Sequence, residues 1–133
     1  MITANIYSKQ LEINDSFLKP VVEDELNLKE DSDKKWVRCR NCHNKIALFS
    51  DKISINENDS YIFKNPAGIF FRIACFANAP GSIAVSDFTD EHTWFTGYRW
   101  SIALCRLCHK HIGWLYSGSD EFYGLIADKL SGV

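Results

Sequence analysis

The 133-residue chain has no run of 18 apolar residues, so no segment reads as a bilayer-spanning helix. Its first ten residues, MITANIYSKQ, lack a basic stretch followed by an apolar one, so no secretory signal is visible. The expectation is a soluble, cytoplasmic protein. An excess of basic charge is also missing: Lys and Arg number 15 against 17 Asp and Glu, a net of −2, which offers no broad field for a phosphate backbone. Nucleic acid is therefore a poor partner. Proline is scarce at 3, methionine occurs once, and no helix-period segment longer than two turns stands out after residue 36. No Ser-His-Asp order, paired-carboxylate motif or phosphate-cradling loop is recognisable, which argues against an enzyme. The length suits one domain with one core and leaves little room for a cleft between two.

What the chain does have is aromatic and sulfur side chains. Aromatics make up 14%, including four Trp, and five Cys accompany four His. The distribution is uneven. Residues 1–35 carry eight acidic and five basic side chains, a local net of −3, and only two aromatics, Tyr7 and Phe17. They read as an acidic N-terminal extension, with Pro20 interrupting any long helix. Residues 36–130 read as the folded domain. Short apolar runs at 45–49, 60–63, 69–76, 83–88, 100–104, 111–116 and 122–126, separated by Asn, Asp, Gly and Pro clusters, predict an all-β fold with no evident internal repeat. Trp36 is assigned to the core.

Cys39-Arg-Asn-Cys42 and Cys105-Arg-Leu-Cys108 are two Cys-x-x-Cys knuckles with 62 residues between them. Two intervening residues let one tight turn aim both thiolates at one point, and two such turns supply the four soft donors of a tetrahedral zinc. With every position filled by sulfur, the single Zn2+ is structural and contributes folding free energy. Each knuckle is followed by histidine, His43 and His109, so each also fits the Cys-x-x-Cys-His pattern of covalent haem attachment. That chemistry needs export and usually a helical surround, and neither is visible. A redox dithiol would be expected near a βαβ pattern, also absent. Cys75 lies in an apolar run and reads as a buried thiol.

Three of the four tryptophans flank the second knuckle. On extended strands Trp100, Ile102 and Leu104 share a face, and so do Ile112, Trp114 and Tyr116. A hairpin closed at the knuckle would set Trp100 and Trp114 side by side, with Gly97 letting Trp94 fold back over them. The alternative is plain core packing. The polar and small neighbours His92, Gly97, Tyr98 and Arg99 favour an open aromatic cage, suited to a cation or a small flat ring.

Taken together, Cys39-x-x-Cys42, Asn65-Pro66-x-Gly68, His92-x-Trp94-Phe95-x-Gly97-Tyr98-x-Trp100, Cys105-x-x-Cys108 and His111-Ile112-Gly113-Trp114 resemble the CULT domain, the cereblon-type thalidomide-binding module, over about residues 36–126. The resemblance implies a β-tent fold: two antiparallel sheets meeting at a steep angle, tied by a structural zinc. It implies that Trp94, Trp100 and Trp114 form a cage for a cyclic imide of the glutarimide type, or for a uracil-like ring, free or at a peptide end. It further implies that the His92 carbonyl accepts the imide N–H, that the His92 side chain and the Trp94 N–H face ring carbonyls, that Asn65 and Pro66 border the mouth, and that Tyr116 stands beside the cage. Thr96, Arg99 and Ala67 depart from the family pattern, and Arg99 is expected outside the cage. The Lon-type domain that precedes this module in cereblon has no counterpart in these residues, so no ubiquitin-ligase partner is expected. Two alternatives are a catalyst like the B-type methionine sulfoxide reductases, whose fold is related and for which Cys75 would be the reactive thiol, and a cage for quaternary ammonium groups.

Overall fold

The computed structural model describes residues 34–58 and 60–133. The acidic N-terminal extension expected before the domain, with Pro20 interrupting it, lies outside the described residues as far as residue 33. Among the described residues, the unit Lys35–Val133 contains ten strands: β1 (Trp36–Cys39), β2 (Lys45–Leu48), β3 (Lys52–Ile53), β4 (Ser60–Lys64), β5 (Phe70–Phe76), β6 (Ser82–Ala84), β7 (Arg99–Cys105), β8 (His111–Ser117), β9 (Glu121–Ile126) and β10 (Leu130–Ser131). The helical content among the described residues is two single 3-10 turns, Phe49–Asp51 and Ala127–Lys129. The fold is all-β, as the short alternating runs predict.

Every pairing is antiparallel, and the strands form two sheets. The small one runs β10-β1-β2 and the large one β3-β5-β9-β8-β7-β6, with β4 also on the edge of β5. Side-chain alternation along the central strands gives the large sheet two apolar faces. Ala74, Phe76 and Leu125 join Val37, Ile46, Ala47 and Leu130 of the small sheet in one core. Ile73, Cys75, Tyr116, Phe122 and Ile126 join the loop residue Phe95 in a second core, against which Trp94, Trp100 and Trp114 pack.

The two knuckle hairpins are copies of one another, a repeat that the sequence reading missed. Cys-Arg-x-Cys-His-x-x-Ile occurs at 39–46 and again at 105–112. In the first copy the Cys39 N–H donates to the Asn44 carbonyl at 2.8 Å and the His43 N–H to the Cys39 carbonyl at 2.8 Å. In the second, Cys105 donates to Lys110 and His109 to Cys105, both at 2.8 Å. His43 and His109 adopt left-handed backbone, φ 67° and 65°, and both side chains are exposed. The histidine of each Cys-x-x-Cys-His is thus the residue that turns the chain.

Each hairpin also carries a bulge at the equivalent place. Val37 pairs with Ala47 and Arg38 with Lys45, leaving Ile46 unpaired. Ala103 pairs with Gly113 and Leu104 with His111, leaving Ile112 unpaired. An extra residue breaks the two-residue alternation, so Ile46 and Ile112 both enter the core between the sheets. This corrects the expectation that Ile112 shares a face with Trp114 and Tyr116: the bulge turns Ile112 away and brings His111 beside Trp114.

Two further expectations change. The run 83–88 is strand only to Ala84, because serine hydroxyls then replace the ladder: Ser101 Oγ donates to the Ser86 carbonyl at 2.6 Å, and the Ile102 N–H donates to Ser86 Oγ at 2.8 Å. Trp36 is half-buried rather than core, since Val37 and Cys39 take the inward positions of β1 and the Lys45 amine lies 5.5 Å from the Trp36 ring.

Candidate functional site

The four knuckle sulfurs converge. Cys39, Cys42, Cys105 and Cys108 place their Sγ atoms within 4.8 Å of one another, with Cys39 to Cys108 at 3.7 Å and Cys42 to Cys105 at 3.5 Å. Tetrahedral Zn–S bonds of about 2.3 Å require sulfurs about 3.8 Å apart, so the donor set fits one zinc ion with no position left for water. The Asn41 side chain holds the Cys108 thiol down at about 6, whereas burial pushes Cys42 up to about 12. Four thiols this close do not all ionise unaided, and a dication supplies the missing compensation. The Asn44 amide donates to Cys105 Sγ at 3.6 Å, orienting a ligand from the opposite knuckle. Because Cys39 ends β1 and Cys105 ends β7, a zinc ion held by these sulfurs would join the small sheet to the large one.

On the other face of the large sheet, a cavity of about 330 Å3 is lined by Asn65, Pro66, Glu91, His92, Trp94, Trp100, Trp114 and Tyr116. All seven residues expected at a ligand site therefore lie around one cavity. Glu91 is the addition; it lies next to His92 in sequence, but no spacing marks it. Arg99 is exposed, its guanidinium 5.8 Å from the Phe88 ring and away from the cavity, as its alternation with Trp100 requires.

The register of β7 and β8 sets two walls. Trp100 faces Tyr116 and Ile102 faces Trp114, so Trp100 and Trp114 are diagonal neighbours rather than directly opposed. Trp94 meets Trp114 edge to face, with centroids 5.0 Å apart and planes at 77°. Among the described residues Trp100 makes no ring contact with either, which leaves a gap between three half-buried indoles. The supports come from β4 and β5. Phe63 stacks on Trp94 at 4.9 Å and 9°, and Phe71, its cross-strand partner, meets Trp94 at 5.9 Å and Trp114 at 5.7 Å. The alternating aromatics of 61–63 and the Phe at 71 were the available signal for this second layer.

The loop carrying Trp94 is fixed at both ends. The Thr89 and Trp100 backbones exchange hydrogen bonds at 3.1 and 2.8 Å, and Trp100 Nε1 donates to the Glu91 carbonyl at 2.9 Å. One turn on, Phe95 is 4% exposed and contacts Tyr61, Phe63, Tyr116 and Phe122 edge-on, plugging the loop into the second core. Between these anchors, the Thr93 N–H donates to the Asp90 carbonyl at 3.2 Å, closing a tight turn in which His92 has φ 55°. Among the described residues, neither the His92 carbonyl nor the Trp94 N–H has a hydrogen-bond partner. A donor and an acceptor thus stand free at the edge of an apolar slot.

At the mouth, Asn65 serves the β4–β5 turn: its Oδ1 accepts the Ile69 N–H at 2.9 Å and its carbonyl accepts the Gly68 N–H at 2.9 Å. Tyr116 is 2% exposed and lies deepest, its ring packed against Gly124 of β9. Cys75 is not among the lining residues; it is fully buried, and that burial pushes its thiol up to about 12.

Comparison with known proteins finds relatives named protein cereblon. The chain is 30% identical over 100 residues to protein cereblon of Drosophila grimshawi, an alignment covering 65% of this chain and 14% of that protein. It is 58% identical over 74 residues to protein cereblon of Danio rerio, covering 51% of this chain and 17% of the relative. Against protein cereblon of Gallus gallus it is 41% identical over 46 residues, covering 30% and 10%. The chain thus spans less than a fifth of the length of these relatives. No family model matches it.

Proposed function

Given that the chain carries a domain of the cereblon-type CULT family, we propose that residues 36–130 form a binding module that holds a small neutral ring with an imide edge, glutarimide-like or uracil-like, between Trp94, Trp100 and Trp114. The observation that carries this reading is the unpaired His92 carbonyl and Trp94 N–H on the rim of the aromatic gap. An imide presents one N–H between two carbonyls, which matches an acceptor beside a donor, while its ring carbons sit on indole faces. A buried polar edge binds well only where each group finds its complement, so rings without the N–H should be rejected. The role is binding rather than catalysis: a reactive thiol needs an exposed, electropositive place, and Cys75 has neither exposure nor access to the cavity. Action in the cytoplasm, a ring presented at a peptide end and the separate role of the acidic residues 1–35 belong to the same proposal.

Titration of zinc-loaded protein with glutarimide, followed by tryptophan fluorescence, tests it. Saturable quenching that is abolished by N-methylation of the imide supports the reading. Equal binding of the N-methyl compound overturns it. Glu91 at the cavity favours a second reading, a quaternary ammonium guest held by cation–π attraction. Displacement of glutarimide by tetramethylammonium at comparable concentration would select that reading.

A further inference from the structure

Burial grades along the cavity. Pro66, Glu91 and His92 are exposed, the three indoles are half-buried, and Tyr116 is 2% exposed, so Tyr116 forms the floor. Its ring is held from three sides: Phe95 edge-on at 4.8 Å, Phe122 stacked at 5.2 Å, and Gly124, where a Cβ would come within 2.9 Å of Tyr116 Cε2. The side chain has no room to swing away from the cavity. Its hydroxyl has no hydrogen-bond partner among the described residues, yet it is not sealed from the cavity as the Tyr61 hydroxyl is sealed in the second core. Burial also raises the ionisation of Tyr116 far above the ordinary phenol range, so the group stays a neutral O–H that both donates and accepts.

An unpaired hydroxyl on the floor of an apolar slot costs binding free energy whenever a guest covers it with carbon, and favours a guest that offers it a polar atom. We propose that Tyr116 is a specificity-determining residue of the cage, selecting rings that carry an N–H or carbonyl on the edge remote from the imide. Dihydropyrimidine-diones fit this requirement, and glutarimide, whose edge remote from the imide is three CH2 groups, does not. The inference rests on the cage reading above and adds the far edge of the ring to it. The Phe95 and Phe122 contacts use only the ring of Tyr116, so Tyr116→Phe removes the hydroxyl without removing the packing.

Two probes isolate the difference. Glutarimide and 5,6-dihydrouracil share the same imide edge, and the second has an N–H where the first has a CH2. Both are titrated calorimetrically into zinc-loaded wild-type protein and Tyr116→Phe, with matched melting temperatures as the folding control. The wild type should prefer dihydrouracil by about five- to tenfold, the worth of one buried hydrogen bond, and Tyr116→Phe should bring the two affinities together. An unchanged preference in Tyr116→Phe overturns the role of Tyr116 and leaves the cage standing. Failure of both rings to bind the wild type removes the cage reading and this inference with it.

Discussion

His43 and His109 hold left-handed backbone at φ 67° and 65°, a conformation that crowds Cβ against the carbonyl and costs about 1 kcal/mol for a residue other than glycine. Their side chains are exposed and outside the four-sulfur cluster, so nothing offsets that cost through ligation. His109→Gly should therefore raise the stability of zinc-loaded protein by up to about 1 kcal/mol in urea denaturation, with zinc content unchanged. A loss of zinc in that variant would mean the imidazole does more than turn the chain. At the cavity the informative residue is Gly124, whose missing Cβ makes room for Tyr116. Gly124→Ala should push the Tyr116 ring into the cavity and weaken glutarimide binding about tenfold or more, while zinc remains bound. Titration of the variant checks this. Residue types were the most legible part of the site: spacing alone pointed to the four cysteines, and the motif pointed to seven of the eight residues that line the cavity. Glu91 escaped because nothing in its spacing separates a rim carboxylate from a solvated one. The half-buried position of Trp36 was not legible, because an isolated tryptophan carries no face and β1 fixes its face only through the inward Val37 and Cys39.

At the scale of elements, the two knuckle hairpins are one design used twice. The arginine inside each knuckle ties its hairpin to a neighbouring segment. Arg40 donates its backbone N–H to Lys129 and its guanidinium to the Leu130 carbonyl at 3.1 Å; Arg106 does the same to Gly81, and to Ser82 at 3.1 Å. Arg106→Ala should cost about 1 kcal/mol, discounted for its exposed setting, and Arg106→Lys should recover only part, because one ammonium cannot span the Pro80 and Ser82 carbonyls as a fork does. Thermal denaturation measures both. The bulge at Ile112 places His111 4.8 Å from Trp114, with its Nε2 2.9 Å from the Gly113 carbonyl. Burial lowers the His111 pKa, so the unfolded chain takes up the proton more readily than the folded one. Stability should then fall as pH drops below about 6.5, the unfolded value. Zinc ligation also weakens in acid, so the diagnostic quantity is the difference from His111→Phe, which should lack this part of the slope below about pH 6.5. Identical slopes would show that His111 does not contribute. Strand positions were readable from alternation, but bulges were not: an extra residue leaves no mark in a hydrophobic pattern until the pairing register is known.

For the whole molecule, the four-sulfur cluster and the tryptophan-lined cavity lie on opposite faces of the same sheet. The small sheet meets the large one through the core around Val37, Ile46 and Leu130 and through the sulfur cluster, while the cage is built on the far side by β7, β8 and the loop from Thr89 to Trp100. Gly81 marks how closely the sheets approach: its N–H donates to the Ile46 carbonyl at 2.9 Å, and a Cβ there would collide with the Lys45 backbone. Removing zinc should therefore loosen both hairpins at once. Chelation, or Cys108→Ser, should lower the melting temperature by well over ten degrees and abolish glutarimide quenching, though no cysteine touches the cavity. The pairing order of the strands was not legible in advance, because it depends on which short strands share an edge.

The proposed seat for a ring with an imide edge is the gap among Trp94, Trp100 and Trp114. A crystal structure of zinc-loaded protein grown with glutarimide tests it most directly. The ring should lie in the gap between the three indoles, its N–H on the His92 carbonyl and a ring carbonyl facing the Trp94 N–H. Glutarimide bound elsewhere on the protein, or in the gap with its imide turned away from His92, would contradict it.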